Sequence, residues 1–287
     1  MINSRPRLLE TAYAQAVALK RRQLWIGLIV LAVLVVFSAN IAEISFSKFY
    51  EHIGGFVSYF DRIAHLENGR PVISDPAEWF WGWKKWLALM GETLLMAYLG
   101  TLLGATAAFV LCFLASQNLT QSKGVVFLTR RLLEFSRTVP ELVFALIFVV
   151  AFSLGPLPGI LALAIHSAGA LGKLFAEVVE NIDMKPVEGV VASGGNWFHK
   201  IRFGVLPQVA SNFASYALLR FEINVRGASV LGFVGAGGIG QTLLEVIRKF
   251  YYADVSALLV LIIATVMIID AVTERIRHKL IGMDARS

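Results

Sequence analysis

The stretch LVFALIFVVAFSLGPLPGILALAIHSAGALG, Leu142–Gly172, contains no Asp, Glu, Lys or Arg over 31 residues. As a single α-helix it would reach about 46 Å, well past the thickness of the bilayer hydrocarbon. At its centre stands Gly155-Pro156-Leu157-Pro158-Gly159. Prolines flanked by glycines interrupt a helix, because proline has no amide hydrogen to give and its ring crowds the preceding turn. The stretch is therefore read as two short spans joined by a tight turn. That reading fixes the direction of every span after it.

The rest of the chain has the same apolar character. Hydrophobic residues make up 57% of the 287 and charged residues only 16%, where a soluble domain carries about 25%. Mean hydropathy is +0.68. The other blocks are Gln23–Ala42, Thr93–Ser122, Leu206–Leu231, which has charges inside it, and Val255–Ile269 between Asp254 and Asp270. The first block follows Lys20-Arg21-Arg22 and no small-residue cleavage site comes after it, so it is read as a span rather than a removed leader. The lone cysteine, Cys112, sits inside an apolar block and leaves no intramolecular disulfide.

A net charge of +6 would suit a nucleic-acid partner. Here, however, the basic residues flank the apolar blocks, where they orient spans. With six spans and the N-terminus inside, segments 1–22, 123–137, 173–202 and 275–287 hold 17 Lys and Arg, against 7 in 43–92 and 232–254. A single span over 142–172 would put 173–202 outside and mix the signs. The expected fold is thus an all-α, polytopic membrane bundle of six transmembrane helices, with both termini cytoplasmic.

Residues 1–85 are read apart from 86–287. Between Ile44 and Leu66, Phe46, Phe49, Tyr50, Ile53, Phe56, Phe60 and Ile63 recur at helical spacing among charges. They predict an amphipathic helix on the outer membrane surface or against the bundle. Trp79, Phe80, Trp81, Trp83 and Trp86, with Lys84 and Lys85, predict an interfacial belt before the second span.

Between spans four and five, Ala176–Pro207 is polar. Pro186 and Gly194 bracket a short helix, Trp197 and Phe198 are expected to be exposed, and the membrane resumes at Leu206-Pro207. A short capped helix beside exposed aromatics is a docking surface for a partner, unless the rings fold back onto the bilayer. Glu188, Gly194 and Leu206-Pro207 resemble the loop of ABC-importer permeases, whose pattern is Glu-Ala-Ala, three residues, Gly, nine residues, Ile, one residue, Leu-Pro. Gly189 and Val190 replace the alanines, and Gly204 stands where Ile is usual. The resemblance implies that Glu188, Gly194, Trp197, Leu206 and Pro207 contact an ATPase subunit.

Arg220-Phe221-Glu222-Ile223-Asn224-Val225-Arg226 and Val234–Gly240 are similar to phosphonate-importer permeases. So are Val205–Val209, Pro186–Gly189, His166, Gly172-Lys173-Leu174 and Arg137–Glu141, so that the similarity runs from about Glu92 to the C-terminus. It implies a permease in the inner (plasma) membrane for phosphonate or a related anion. It also implies a second copy of the chain, two ATP-binding subunits and an extracytoplasmic solute-binding protein. No Walker A pattern occurs, so hydrolysis would belong to another chain, and no catalytic residue, metal ligand or cofactor is expected. Gly235, Gly237 and Gly240 fit G-x-G-x-x-G, but they follow a membrane span rather than a strand, so a tight turn or close helix crossing is expected in place of a nucleotide site. A channel, a secondary transporter and a membrane enzyme are the rival classes. The first needs no docking helix, the second would show repeated halves, and the third lacks a nucleophile–base pair.

Arg220, Glu222, Asn224 and Arg226 lie inside span five. An arginine near mid-bilayer costs about 2.5–3.5 kcal/mol on insertion scales, so these residues need a reason. Counted from Leu206, they fall in the outer half of the membrane. Glu222 and Arg226 are four apart and would pair on one helix face, leaving Arg220 with surplus charge. Two readings stay open for these residues and for His166 in span four. They form either a structural polar network or the substrate path, with Arg220 attracting the anion.

Overall fold

The computed structural model of the protein describes residues 5–42 and 46–284. It divides into two compact units, Met1–Asp61 and Arg62–Ser287. In the first, α1 (Arg5–Ile41) leaves its large apolar residues from Val17 to Ile41 exposed, as suits a helix surrounded by lipid. It begins well before Gln23 and takes Lys20, Arg21 and Arg22 into its own length. Then α2 (Phe46–Ile63) presents Ile53, Phe56 and Phe60 outward, the two phenylalanine rings edge to face at 4.9 Å. Ile44 lies outside the described residues, as do the side chains of Phe46 and Phe49.

The second unit opens with α3 (Pro76–Trp79), capped by Asp75, and α4 (Trp83–Ala115). The second span is thus displaced from the expected 93–122. It starts within the tryptophan belt and stops at Ser116, where Asn118 Nδ2 donates to the Val179 carbonyl (2.8 Å) and Glu180 accepts from the Gln117 amide (2.7 Å). Next come α5 (Lys123–Thr138) and α6 (Glu141–Phe152), bent 86° from each other at Val139-Pro140. The turn expected within Leu142–Gly172 is present: Ser153 has φ +71°, Gly155 has φ +143°, and Pro156 opens α7 (Pro156–Glu180). With only 12 residues, α6 reaches ~18 Å, so it is long enough to span only together with α5, as a bent pair. The fourth runs past Gly172 to Glu180, with Lys173 and Glu177 paired on its exposed face at 3.4 Å.

Helices α4 and α7 run parallel, in contact over most of their length. A Cβ on Gly100 would lie 2.6 Å from Leu163 Cβ, and one on Gly104 the same distance from Ser167 Cβ. Small residues let two backbones close up, and in lipid that van der Waals contact replaces the missing hydrophobic drive. The chain continues through α8 (Lys185–Ala192), α9 (Trp197–His199), a π-helical turn at Lys200–Val205 and α10 (Leu206–Leu231). It ends with α11 (Gly238–Arg248) and α12 (Tyr252–Asp284), whose middle holds the expected sixth span. Among the described residues four helices are long and apolar enough to cross a membrane, and the total is six if each of two bent pairs, α5 with α6 and α10 with α11, is one span.

Three apolar clusters stack along the bundle. One joins Phe113, Phe175 and Phe213 to Val187, Val205 and Val209 of the polar loop and its exit, with Phe175 stacked on Phe213 at 4.0 Å. The next holds Met96, Leu163, Val225 and Leu231. The last, at the tryptophan belt, holds Trp86, Met90, Ile239, Leu243 and Leu258.

Candidate functional site

The loop between α7 and α10 is held in shape by its own backbone. Asp183 Oδ1 accepts from the Lys185 amide (3.0 Å) and opens α8, with Pro186 in the first turn. Gly194 closes it at φ +82°, donating to the Val191 carbonyl (2.9 Å), while Gly195 donates to Val190 (2.9 Å). A left-handed residue favours glycine here, which explains Gly194. Asn196 and His199 then cap each other's backbone amides and start α9. Glu188 stands exposed in the first turn of α8.

Trp197 does not stand out into solvent as expected. It is half-buried against the cluster around Val187 and Val205, and Phe198, 72% exposed, and Phe203 carry the outward aromatic surface instead. Leu206 packs on the same cluster, while Pro207 is exposed in the first turn of α10. Gly204 has a steric reason, since a Cβ there would lie 2.9 Å from Val187 Cα. The crossing of α8 over residues 200–205 is too close for the isoleucine usual at that position.

Arg220, Glu222 and Asn224 are buried, but their pairing is not the expected one. Glu222 accepts from Thr273 Oγ1 and from Arg277 Nη2 (3.1 Å), both on α12. Arg226 reaches Asp270 at 2.7 Å. Arg220 donates through Nε to Ser167 Oγ (3.0 Å), and its Nη2 faces Glu141 at 3.8 Å with no hydrogen-bond acceptor among the described residues. Asn224 Nδ2 donates to Thr101 Oγ1 and Ser167 Oγ, both at 2.8 Å. Next to Ser167, His166 Nδ1 donates to the Val139 carbonyl (3.1 Å) at the bend between α5 and α6. Three arginines thus meet three carboxylates, and the surplus charge expected on span five is neutralised by α6 and α12.

These partners also set the level of the charges along the bundle. Glu222 lies level with Arg277, in the charged last turns of α12, and Arg220 lies level with Ser167, shortly before Lys173. The charges therefore sit at the level of the middle cluster, to which Phe221 and Val225 belong. The first turns of α10 pack beside the loop, with Val209 and Phe213 in its cluster.

At the far end of α10 the glycines make both a tight turn and a close crossing. Gly235 and Gly237 have φ of +84° and +81°. A Cβ on Gly240 would overlap the Ser229 carbonyl. Glu92 Oε1 and Thr93 Oγ1 accept from the amides of Gly238 (3.2 Å) and Ile239 (2.9 Å), capping α11 from α4. Among the described residues no cluster of His, Cys, Asp and Glu could hold a metal ion.

Of the residues that complete this network, Glu141 opens α6 at the edge of its apolar stretch, where a carboxylate is ordinary. Ser167, Thr101 and Thr273 gave no signal, being common helix residues in lipid. Asp270 and Arg277 were visible only as the charged edge of span six.

Residues 100–281 match the family described as "Binding-protein-dependent transport system inner membrane component". The chain is 40% identical over 212 residues to the phosphite transport system permease protein PtxC of Stutzerimonas stutzeri, covering 72% of this chain and 77% of that one. It is 41% identical over 190 residues to the phosphate-import permease protein PhnE of Mycolicibacterium smegmatis, covering 66% of this chain and 36% of that one. Its fold is that of a chain of the inward-facing MetNI methionine ABC transporter, with a TM-score of 0.60 at 20% identity over 68% of this chain and 95% of the other. A multi-pass helical bundle, a capped polar loop between its fourth and fifth spans, and a family match over most of the second unit agree: the chain belongs to the inner-membrane permease components of binding-protein-dependent transport systems.

Proposed function

We propose that this chain forms the translocation path of an ATP-driven importer for phosphonate, phosphite or a related small phosphorus oxyanion, with both termini cytoplasmic. The 17-to-7 basic asymmetry supports the orientation, and the similarity to phosphite and phosphate permeases supports the substrate class. The observation that carries the coupling is the loop itself, where a rigid capped α8 presents Glu188 beside exposed Phe198. Glu188, Gly194, Trp197, Leu206 and Pro207 build this face, which docks a separate ATP-binding subunit. Residues 86–287 are the core permease domain. Two such chains, two ATP-binding subunits and an extracytoplasmic solute-binding protein make the working assembly, and ATP is hydrolysed on the partner chains. Within the membrane, Arg220 is the group with attraction left for a passing oxyanion, and His166, Glu222, Asn224 and Arg226 frame it.

The test is reconstitution in liposomes with the ATP-binding and solute-binding partners. Labelled phosphite and methylphosphonate are expected to accumulate only with ATP, and sulfate is not. Equal uptake of all three, or uptake without ATP, overturns the reading. For docking, Gly194→Trp is expected to lose the ATP-binding subunit on purification, while Gly194→Ala, which shares the backbone strain without the bulk, keeps it.

A further inference from the structure

The loop between α7 and α10 is closed into a ring by one side chain. Gln208 Oε1 accepts from the Asp183 amide at 3.1 Å, and Gln208 Nε2 donates to the Asp183 carbonyl at 3.0 Å. The primary amide of the side chain thus grips both polar groups of one backbone residue, as neighbouring strands grip each other. The second Nε2 hydrogen goes to the Gly204 carbonyl at 2.6 Å, one turn back along the chain. Three hydrogen bonds therefore converge on a residue in the first turn of α10.

What this joins is specific. Asp183 is the residue whose carboxylate starts α8. Gly204 is the point where Val187 of α8 rests on the chain without room for a Cβ. Gln208 therefore links the base of α8, the point of closest contact with it and the first turn of α10. Beyond Gln208, α10 is continuous for six turns to Leu231, with Arg220, Glu222 and Arg226 tied to α6, α7 and α12 on the way. Apart from the apolar packing of Val187 on Gly204, Val205 and Val209, the remaining route from α8 to α10 is the chain itself, through Ser193–Lys200, a stretch of turns and a single short helical turn, and the π-helical turn at Lys200–Val205. A π-turn is a rare irregularity that occurs mostly as a single turn, frequently at functional sites.

We propose that Gln208 is a positioning residue for transport, the joint through which displacement of α8 moves α10 as a rigid lever. The proposal rests on the reading of α8 as the docking element. The chemistry required is an amide, one acceptor and two donors at fixed reach. Glutamate at 208 keeps the acceptor but sets a carboxylate against two carbonyl oxygens, and alanine removes all three bonds.

The experiment uses the assembled transporter in liposomes and compares wild type, Gln208→Ala and Gln208→Glu. Three quantities are read on each preparation: ATP-binding subunit retained on purification, ATP hydrolysed, and phosphite accumulated per ATP. In both variants the partner is expected to stay bound at wild-type stoichiometry and hydrolysis to stay within about two-fold. Phosphite moved per ATP is expected to fall about ten-fold or more, a change of roughly 1.4 kcal/mol or more in effective coupling. A contact that only stabilised the loop would lower hydrolysis and uptake together and leave their ratio intact. An unchanged ratio overturns the joint, and so does failure of both variants to fold. Failure of the docking reading shows elsewhere, as retention of the ATP-binding subunit and full uptake in Gly194→Trp.

Discussion

Arg220 Nη2 stands 3.8 Å from Glu141 Oε2, across the bend where α5 gives way to α6, while Arg220 Nε is hydrogen-bonded to Ser167 on α7. One side chain thus touches two other helices, and the contact to Glu141 is electrostatic without a hydrogen bond. Arg220→Gln is expected to cost about 1–3 kcal/mol, because Glu141 keeps some solvent contact and is not stranded. A double-mutant cycle with Glu141→Gln should return a coupling of about 1 kcal/mol or less. Thermal unfolding in detergent and uptake are measured on the same preparation. A much larger drop in uptake than in stability supports Arg220 as a guide for the anion, whereas parallel losses make it a helix tie.

The two ion pairs between α10 and α12 should differ sharply. Glu222 is 5% exposed and accepts from both Thr273 and Arg277. Glu222→Gln leaves Arg277 facing a neutral group in a buried setting and should cost about 3–5 kcal/mol. Arg226 and Asp270 are less enclosed, at 50% and 39% exposed, so Arg226→Gln should cost less than Glu222→Gln. Equal shifts in unfolding temperature for the two variants would contradict the burial described here.

Gly240 and Gly189 provide opposite tests of the small residues. A Cβ on Gly240 would overlap the Ser229 carbonyl, which backbone cannot vacate cheaply. Gly240→Ala should therefore separate α10 from α11 and abolish accumulation of folded protein, read by size-exclusion profile. At Gly189, inside α8, a Cβ meets nothing within 4 Å. Gly189→Ala should stabilise by about 0.5–1 kcal/mol and leave uptake intact.

Orientation is tested with single cysteines at exposed positions in a Cys112→Ala background. Trp81, Phe250 and Phe198 are 67%, 70% and 72% exposed. Cysteines at Trp81 and Phe250 should react with an impermeant maleimide added outside intact cells, and one at Phe198 only after lysis. Labelling at Phe198 from outside would invert the proposed topology.

The membrane helical class, the break at Gly155-Pro156, the capped helix closed by Gly194 and the crossing glycines near Gly240 were all legible in the sequence. Each is a local property: hydropathy, a missing amide hydrogen, a positive φ or a missing Cβ acts on the few residues beside it. Helix ends were less legible. At Ser116 α4 ends where Gln117 and Asn118 donate to Glu180 and the Val179 carbonyl, and α7 outlasts its apolar stretch with Lys173 and Glu177 paired on its open face.

Only the tertiary structure decided the partners of the buried charges. Glu222 and Arg226 are spaced to pair with each other, yet each faces α12, and Arg220 finds Ser167 and Glu141 on helices 53 and 79 residues away in the chain. The spacing along one helix states which residues share a face, but not what that face meets. That depends on the register between helices, which is set by Gly100 and Gly104 against α7 and by the path of α10 beside its own loop. A carboxylate buried away from water takes the strongest donors within reach, and packing of the helices determines which donors those are.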